Sequence, residues 1–215
     1  MSIYTDKLLN SNLVGAKTID ELFKIEKEIT QQKVLYLRQY PIKGNFDFQH
    51  LKDIHKFIFE DIYSTAGKDR AELGFKNISF GKNDGIFNKF VDELELNSAT
   101  KKMFDDLKDK NFLKDLNFHD FNKQSAEFFI KLNELHPFLK GNGRTQRIFM
   151  RQLAKEASYD LNLSITKRED MINACSYAKH GNKTDLIVLF IKACKPIEQN
   201  SKIRVPIEKN IGKER

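Results

Sequence analysis

HPFLKGNGRTQR, residues 136–147, carries one His, two Arg and the turn-formers Gly141, Asn142 and Gly143 within twelve positions. Its flanks decide the fold. A helical pattern with Phe128, Phe129, Leu132 and Leu135 on its apolar face runs into it from an opening at Asp120-Phe121-Asn122, and must stop at His136, because the residue before proline is pushed out of the helical region. A strongly apolar helix resumes after Gly143 with Ile148, Phe149 and Leu153. The stretch is therefore a helix–loop–helix junction whose loop amides stand at a helix N-terminus, an arrangement suited to an anion. Glycine at 141 and 143 lets backbone approach phosphate oxygens. Arg144 and Arg147, three apart on the first turn, can face one anion. Two guanidinium groups and several amides suit a di- or triphosphate better than a carboxylate. His136 stands at the other lip, where an imidazole titrating near neutral pH can take a proton from a nucleophile.

Known phosphate loops do not fit the stretch. No segment satisfies the Walker pattern, and GNGRTQ lacks the third glycine of the dinucleotide fingerprint and a preceding parallel strand.

Further out, helices dominate. TIDELFKIEKEITQQKVLYL, 18–37, puts Leu22, Ile25 and Ile29 on one face, with Thr18 and Glu21 as a capping box and Pro41 closing the helix. A second helix starts near Asp47 and aligns Leu51, Ile54, His55, Ile58 and Ile62, and AGKDR, 66–70, follows as a loop. GFKNISFGKNDGIF, 74–87, breaks the pattern: three glycines and an Asn-Asp pair around a β-favouring run predict a small hairpin. Helical periodicity resumes through FVDELE and 98–109, then near 167–179 and 183–194. The expectation is an all-α domain over 1–195 with one β-hairpin, and an irregular tail over 196–215 containing Pro196, Pro206 and Gly212.

Composition narrows the classes. Of 215 residues, 40% are hydrophobic and 31% charged, which suits a soluble globular domain, and 18 Phe without any Trp suit a Phe-rich helical core. The absence of a long apolar run and of a secretory leader predicts no membrane partner and a cytoplasmic protein. Cys175 and Cys194 lack CxxC spacing and read as reduced thiols. A net charge of +7 invites a nucleic-acid partner, but Lys and Arg are interleaved with acidic residues, so the charge reads as solvated helix surface and no nucleic acid is expected. His50 and His55, five apart, make a poor helical metal pair.

The signature His-Pro-Phe, two residues, Gly-Asn-Gly-Arg, two residues, Arg closely resembles that of the Fic (filamentation-induced-by-cAMP) family. FDFQHLKDIHKFIFEDIYSTAGKDR, KNISFGKNDGIF and RIFMRQLAKEASYDLNL resemble the segments around it, so the resemblance covers roughly 15–195. It implies a Fic-type helical bundle with a hairpin flap, and a toxin-like bacterial nucleotidyltransferase that moves AMP from the co-substrate ATP to a Tyr, Ser or Thr hydroxyl of a target protein. By the same resemblance His136 is the general base, and Asn142 orients the α-phosphate. The amides of Gly141 to Gly143 hold the phosphate chain, Arg144 and Arg147 hold the β- and γ-phosphates, and Phe138 anchors the loop. The flap, Lys76, Asn77, Ile78, Ser79 and Phe80, would clamp the target by adding it as a strand.

One position departs from the family. Lys140 stands where members that transfer AMP carry an Asp or Glu ligating Mg²⁺, and an ammonium cannot ligate a metal. Three readings stay open: Lys140 neutralises phosphate charge in place of metal, the donor is a different nucleotide, or the site binds nucleotide with weak or no transfer. The family's inhibitory pattern, Ser/Thr, three residues, Glu, then Gly or Asn, is matched by neither Thr18–Leu22 nor Ser201–Val205. That implies control by a separate antitoxin-like protein, or none.

Overall fold

The structure is a computed structural model and describes residues 3–74, 80–81, 87–88, 91 and 93–198. Its chain order is α1 (Ile3–Ser11), α2 (Ile19–Gln39), α3 (Phe48–Phe59), β1 (Phe80–Gly81), β2 (Phe87–Asn88), α4 (Glu93–Asp109), α5 (Phe118–Leu135), α6 (Asn142–Glu156), β3 (Tyr159–Leu161), α7 (Arg168–Lys179), α8 (Thr184–Ala193) and β4 (Cys194–Pro196). The helical class read from the sequence is the class observed. Helix starts follow local chemistry. Thr18 accepts the amide of Glu21, while the Glu21 carboxylate reaches back to the amide of Lys17. Asp47 caps α3 through the amide of His50, and Asn117 caps α5 through that of Asp120, so α5 begins earlier than its apolar pattern suggested.

Helix α5 is the central element and packs against α4, α6, α7 and α8; α6 packs on α3 and α2. The core between them is aromatic: Phe149 meets Phe104, Phe128 and Phe46, and Phe129 meets Phe190 edge-on. The flap strands pair antiparallel, Phe80 with Asn88 and Gly81 with Phe87, while Lys76, Asn77, Ile78 and Ser79 lie outside the described residues. Two elements carried no readable pattern. Helix α1 is one, and the other is the antiparallel pairing of β3 with β4, which takes Pro196 as the last residue of a strand rather than the first of a tail. Ile197 continues it by donating to the Ser158 carbonyl at 2.9 Å.

The buried face of α2 differs from the apolar one. Leu22, Glu26, Thr30 and Leu37 are buried, whereas Ile25 and Ile29 are only partly covered. Two polar side chains thus sit on the inner stripe, and what they meet is the signature helix.

Candidate functional site

Helix α5 ends at Leu135, and its cap His136 is left-handed at φ 40°, ψ 57°, outside the right-handed region that Pro137 disfavours for its neighbour. The loop then turns through Gly141, also left-handed at φ 86°, into α6. A side chain at Gly141 would be strained, and a Cβ there would overlap the ring of Phe59 unless loop or ring shifted. Asn142 closes the turn with both ends of its amide, donating to the Phe138 carbonyl at 2.6 Å and accepting the Phe138 amide at 2.9 Å. Its side chain thus fixes the shape of the loop. Phe138 is buried and stacked on His55 at 3.9 Å between centroids, the anchor position expected of it. The amides of Asn142 and Gly143 head the helix, where first-turn donors lack intrahelical partners.

Three buried residues that sequence reasoning passed over hold this loop. His55 accepts the Gly67 amide at Nδ1, 2.8 Å, so its Nε2 carries the proton and donates to the Lys140 carbonyl at 2.9 Å. Burial, with the Arg144 charge adding to it against that hydrogen bond, pushes its pKa down to about 4. Arg70 is 1% exposed and donates to the carbonyls of His136 (2.7 Å), Val91 (2.8 Å) and Leu135 (3.1 Å), while its own amide donates to Pro137. It joins the segments entering and leaving the flap to the residue proposed as base. Glu26, from α2, pairs with Arg144 and accepts the Tyr63 hydroxyl. Charged residues in AGKDR and the first long helix were read as solvated. Only tertiary packing could have shown otherwise.

The two signature arginines diverge. Arg144 lies over the Phe59 ring at 4.8 Å, donates to Thr30 Oγ1 at 2.7 Å and is paired with Glu26. Arg147 turns toward a cavity that Arg144 also lines. Its charge is disfavoured by burial first and then by Arg144, Arg168 and Arg38. Lys140 rests its ammonium 3.5 Å from the centroid of Phe23, with its pKa lowered by burial while Glu26 opposes the shift. Among the described residues no group of three His, Cys, Asp or Glu could hold a metal, and the Lys140 ammonium has no lone pair to offer one. The His136 pKa falls to about 3 through burial and the Arg70 charge, opposed by a hydrogen bond to the Asn133 backbone. At neutral pH the imidazole is therefore neutral.

A helical domain with this loop between α5 and α6 defines a Fic-type fold, and residues 45–154 match the model of the Fic/DOC family. The chain belongs to that family. Protein adenylyltransferase VbhT of Bartonella schoenbuchensis is 33% identical over 84% of this chain, and the probable protein adenylyltransferase y4lH of Sinorhizobium fredii is 30% identical over 66%. The match spans 36% of the length of VbhT and 70% of y4lH. BepC of Bartonella tribocorum, solved with AMPPNP, superposes with a TM-score of 0.78 at 27% identity, covering 87% of this chain and 92% of that one. The N-terminal Fic domain of a Bartonella quintana effector, solved with ADP, gives 0.75 at 30% identity, covering 86% and 90%. Among the described residues no helix is long and apolar enough to cross a membrane.

Proposed function

We propose that the chain is a protein nucleotidyltransferase that moves AMP from ATP to a Tyr, Ser or Thr hydroxyl of a target protein. One observation carries the reading: a neutral, half-buried His136 stands on the lip of a glycine loop whose helix-heading amides and two arginines suit a phosphate chain. The names of the relatives and the nucleotides bound by the two Bartonella structures support it.

In this reading the target hydroxyl oxygen attacks the α-phosphorus while His136 takes its proton. The bond from the α-phosphorus to the bridging oxygen breaks, and pyrophosphate leaves into positive charge already in place. Because the base works unprotonated and its pKa lies near 3, His136 is ready across the neutral range. The loop amides hold the phosphates, Asn142 fixes the loop that presents them, and Arg144 and Arg147 take the β- and γ-phosphates. Lys140 supplies a cation beside them. The flap, Lys76 to Phe80, docks an extended target segment by strand addition, and Arg70 fixes the flap roots relative to His136. A separate inhibitor protein fits a chain without the family's inhibitory pattern.

Two features favour a second reading, nucleotide binding with weak transfer or a different donor: Lys140 stands where the resemblance implies an acidic ligand, and Glu26 already pairs with Arg144. The deciding experiment incubates the chain with a bacterial lysate and ATP labelled at the α-phosphate, beside His136→Ala. Label on protein that disappears in the variant, with nucleotide affinity kept within a few-fold, supports transfer. Bound nucleotide without labelled protein, for ATP and for the other nucleoside triphosphates, supports the second reading.

A further inference from the structure

Beside the signature helix lies a cavity of about 50 Å³ whose polar lining is Arg38, Arg144, Arg147, Arg151, Asn162 and Ser164, with four aliphatic side chains making up the rest. Three of the four arginines, 144, 147 and 151, share one face of α6, and Arg38 comes across from the last turn of α2. Their partners are unequal. Arg144 has Glu26, and Arg151 has Asp160 at 3.0 Å. Arg38 donates to the Ser164 hydroxyl at 2.9 Å, and neither it nor Arg147 has a carboxylate partner among the described residues. Like charges gathered around a small cavity oppose one another, and Arg168 adds to the repulsion felt by Arg147. Such an arrangement is relieved by a bound anion. By volume the cavity takes a few waters, at roughly 10–15 Å³ each on this measure, or one tetrahedral oxyanion in their place.

We infer that this cavity is a phosphate subsite beyond the signature, so that the site accepts a nucleoside 5′-tetraphosphate with a free terminal phosphate. The inference rests on the nucleotidyl-transfer reading and names its donor class. Arg151 lies one helical turn past Arg147, roughly 6 Å along the axis. If Arg144 and Arg147 take the β- and γ-phosphates, Arg151 and Arg38 face the group that follows, with the Ser164 hydroxyl beside them. A free terminal phosphate fits a cavity of this size, whereas a second nucleoside would have to stay outside it, away from the arginines that line it. Transfer from such a donor forms the bond from target oxygen to α-phosphorus and breaks the bond to the β-bridging oxygen. The hydroxyl proton goes to His136, and inorganic triphosphate leaves in place of pyrophosphate.

The test is calorimetric titration of the full chain with ADP, ATP, adenosine 5′-tetraphosphate and diadenosine tetraphosphate, for the native protein, Arg38→Gln and Arg38→Lys. The expected result is that the tetraphosphate binds about tenfold tighter than ATP, as one more charge-assisted contact gives. Arg38→Gln should remove that gain with ADP affinity kept within about twofold, Arg38→Lys should retain part of it, and diadenosine tetraphosphate should show none. Equal affinity for ATP and the tetraphosphate, a gain that survives Arg38→Gln, or an equal gain with the dinucleoside overturns the subsite while leaving ATP binding in place. Failure of every nucleotide to bind, ATP included, is a different result and overturns the transfer reading together with it.

Discussion

At Gly141 two constraints meet in one atom. The left-handed φ of 86° is costly for any residue with a side chain, and a Cβ would drive into the Phe59 ring beneath. Gly141→Ala should therefore destabilise the fold by about 2–5 kcal/mol, combining a left-handed penalty of about 1–2 with overpacking of about 1–3. Urea denaturation measures it, and a loss below about 1 kcal/mol would show that loop and ring move apart freely. Lys140, the preceding residue, presents the opposite case: its backbone is fixed by His55, but its ammonium is parked over Phe23. Replacing it with Glu supplies the acidic group that the resemblance implies at that position, and Arg144 and Arg168 are near enough to favour it. Lys140→Glu should make transfer from ATP steeply dependent on Mg²⁺, whereas the native protein should lose little when the metal is chelated. Rate against Mg²⁺ concentration decides. A native protein fully dependent on the metal, with a slower Glu variant, would mean that this position was never a substituted ligand.

At the scale of elements, the C-terminus of α5 and the roots of the flap depend on one guanidinium. Arg70 sits in a turn locked by reciprocal bonds: Asp69 Oδ1 accepts the Glu72 amide at 3.0 Å and Glu72 Oε2 accepts the Asp69 amide at 2.9 Å. Arg70→Met keeps apolar bulk but leaves the Leu135, His136 and Val91 carbonyls without this donor. A loss of about 3 kcal/mol or more follows from unsatisfied buried acceptors, read as a lowered urea midpoint. A change under about 1 kcal/mol would mean that water replaces the side chain. The same elements show what the sequence could and could not disclose. Thr18, Asp47, Asn117 and Pro137 act through neighbours within a few positions, so the helix starts they set and the break at His136 come close to what their chemistry dictates. The inner stripe of α2 followed another rule. Glu26 and Thr30 face inward because Arg144, more than a hundred residues away, needs acceptors there, and no periodicity of α2 encodes that. The β3–β4 pair was hidden for a similar reason, since three-residue strands are specified by their partner rather than by their own alternation.

Over the whole molecule, the twelve-residue signature was legible as a candidate phosphate site because its glycines and arginines act through the loop they themselves form. The residues that hold that loop in place come from α2, α3 and the turn before the flap, and were legible only as ordinary helix and loop positions. His55 is where these parts join: it accepts from Gly67, donates to Lys140 and stacks on Phe138, so α3, the following turn and the signature are tied through one neutral ring. Protonating that ring places a second hydrogen on Nδ1, against the Gly67 amide, in a buried setting that also faces the Arg144 charge. Its folded-state pKa of about 4 lies below the ordinary 6.5, so the unfolded chain binds the proton first as pH falls. The stability contribution is thus complete above about 6.5, declines as pH drops toward 4, and is fully lost below that. At about 1.4 kcal/mol per unit it is worth roughly 3 kcal/mol. His136, depressed in the same direction to about 3, adds to the slope over the same range and below it. Unfolding free energy measured from pH 8 to pH 4 should therefore fall steeply for the native chain. His55→Gln should begin less stable at pH 8, having lost the stacked ring, yet decline less over the interval. Parallel curves for the two proteins would show that His55 does not titrate across folding, and that the joint between α3 and the signature loop is indifferent to its charge.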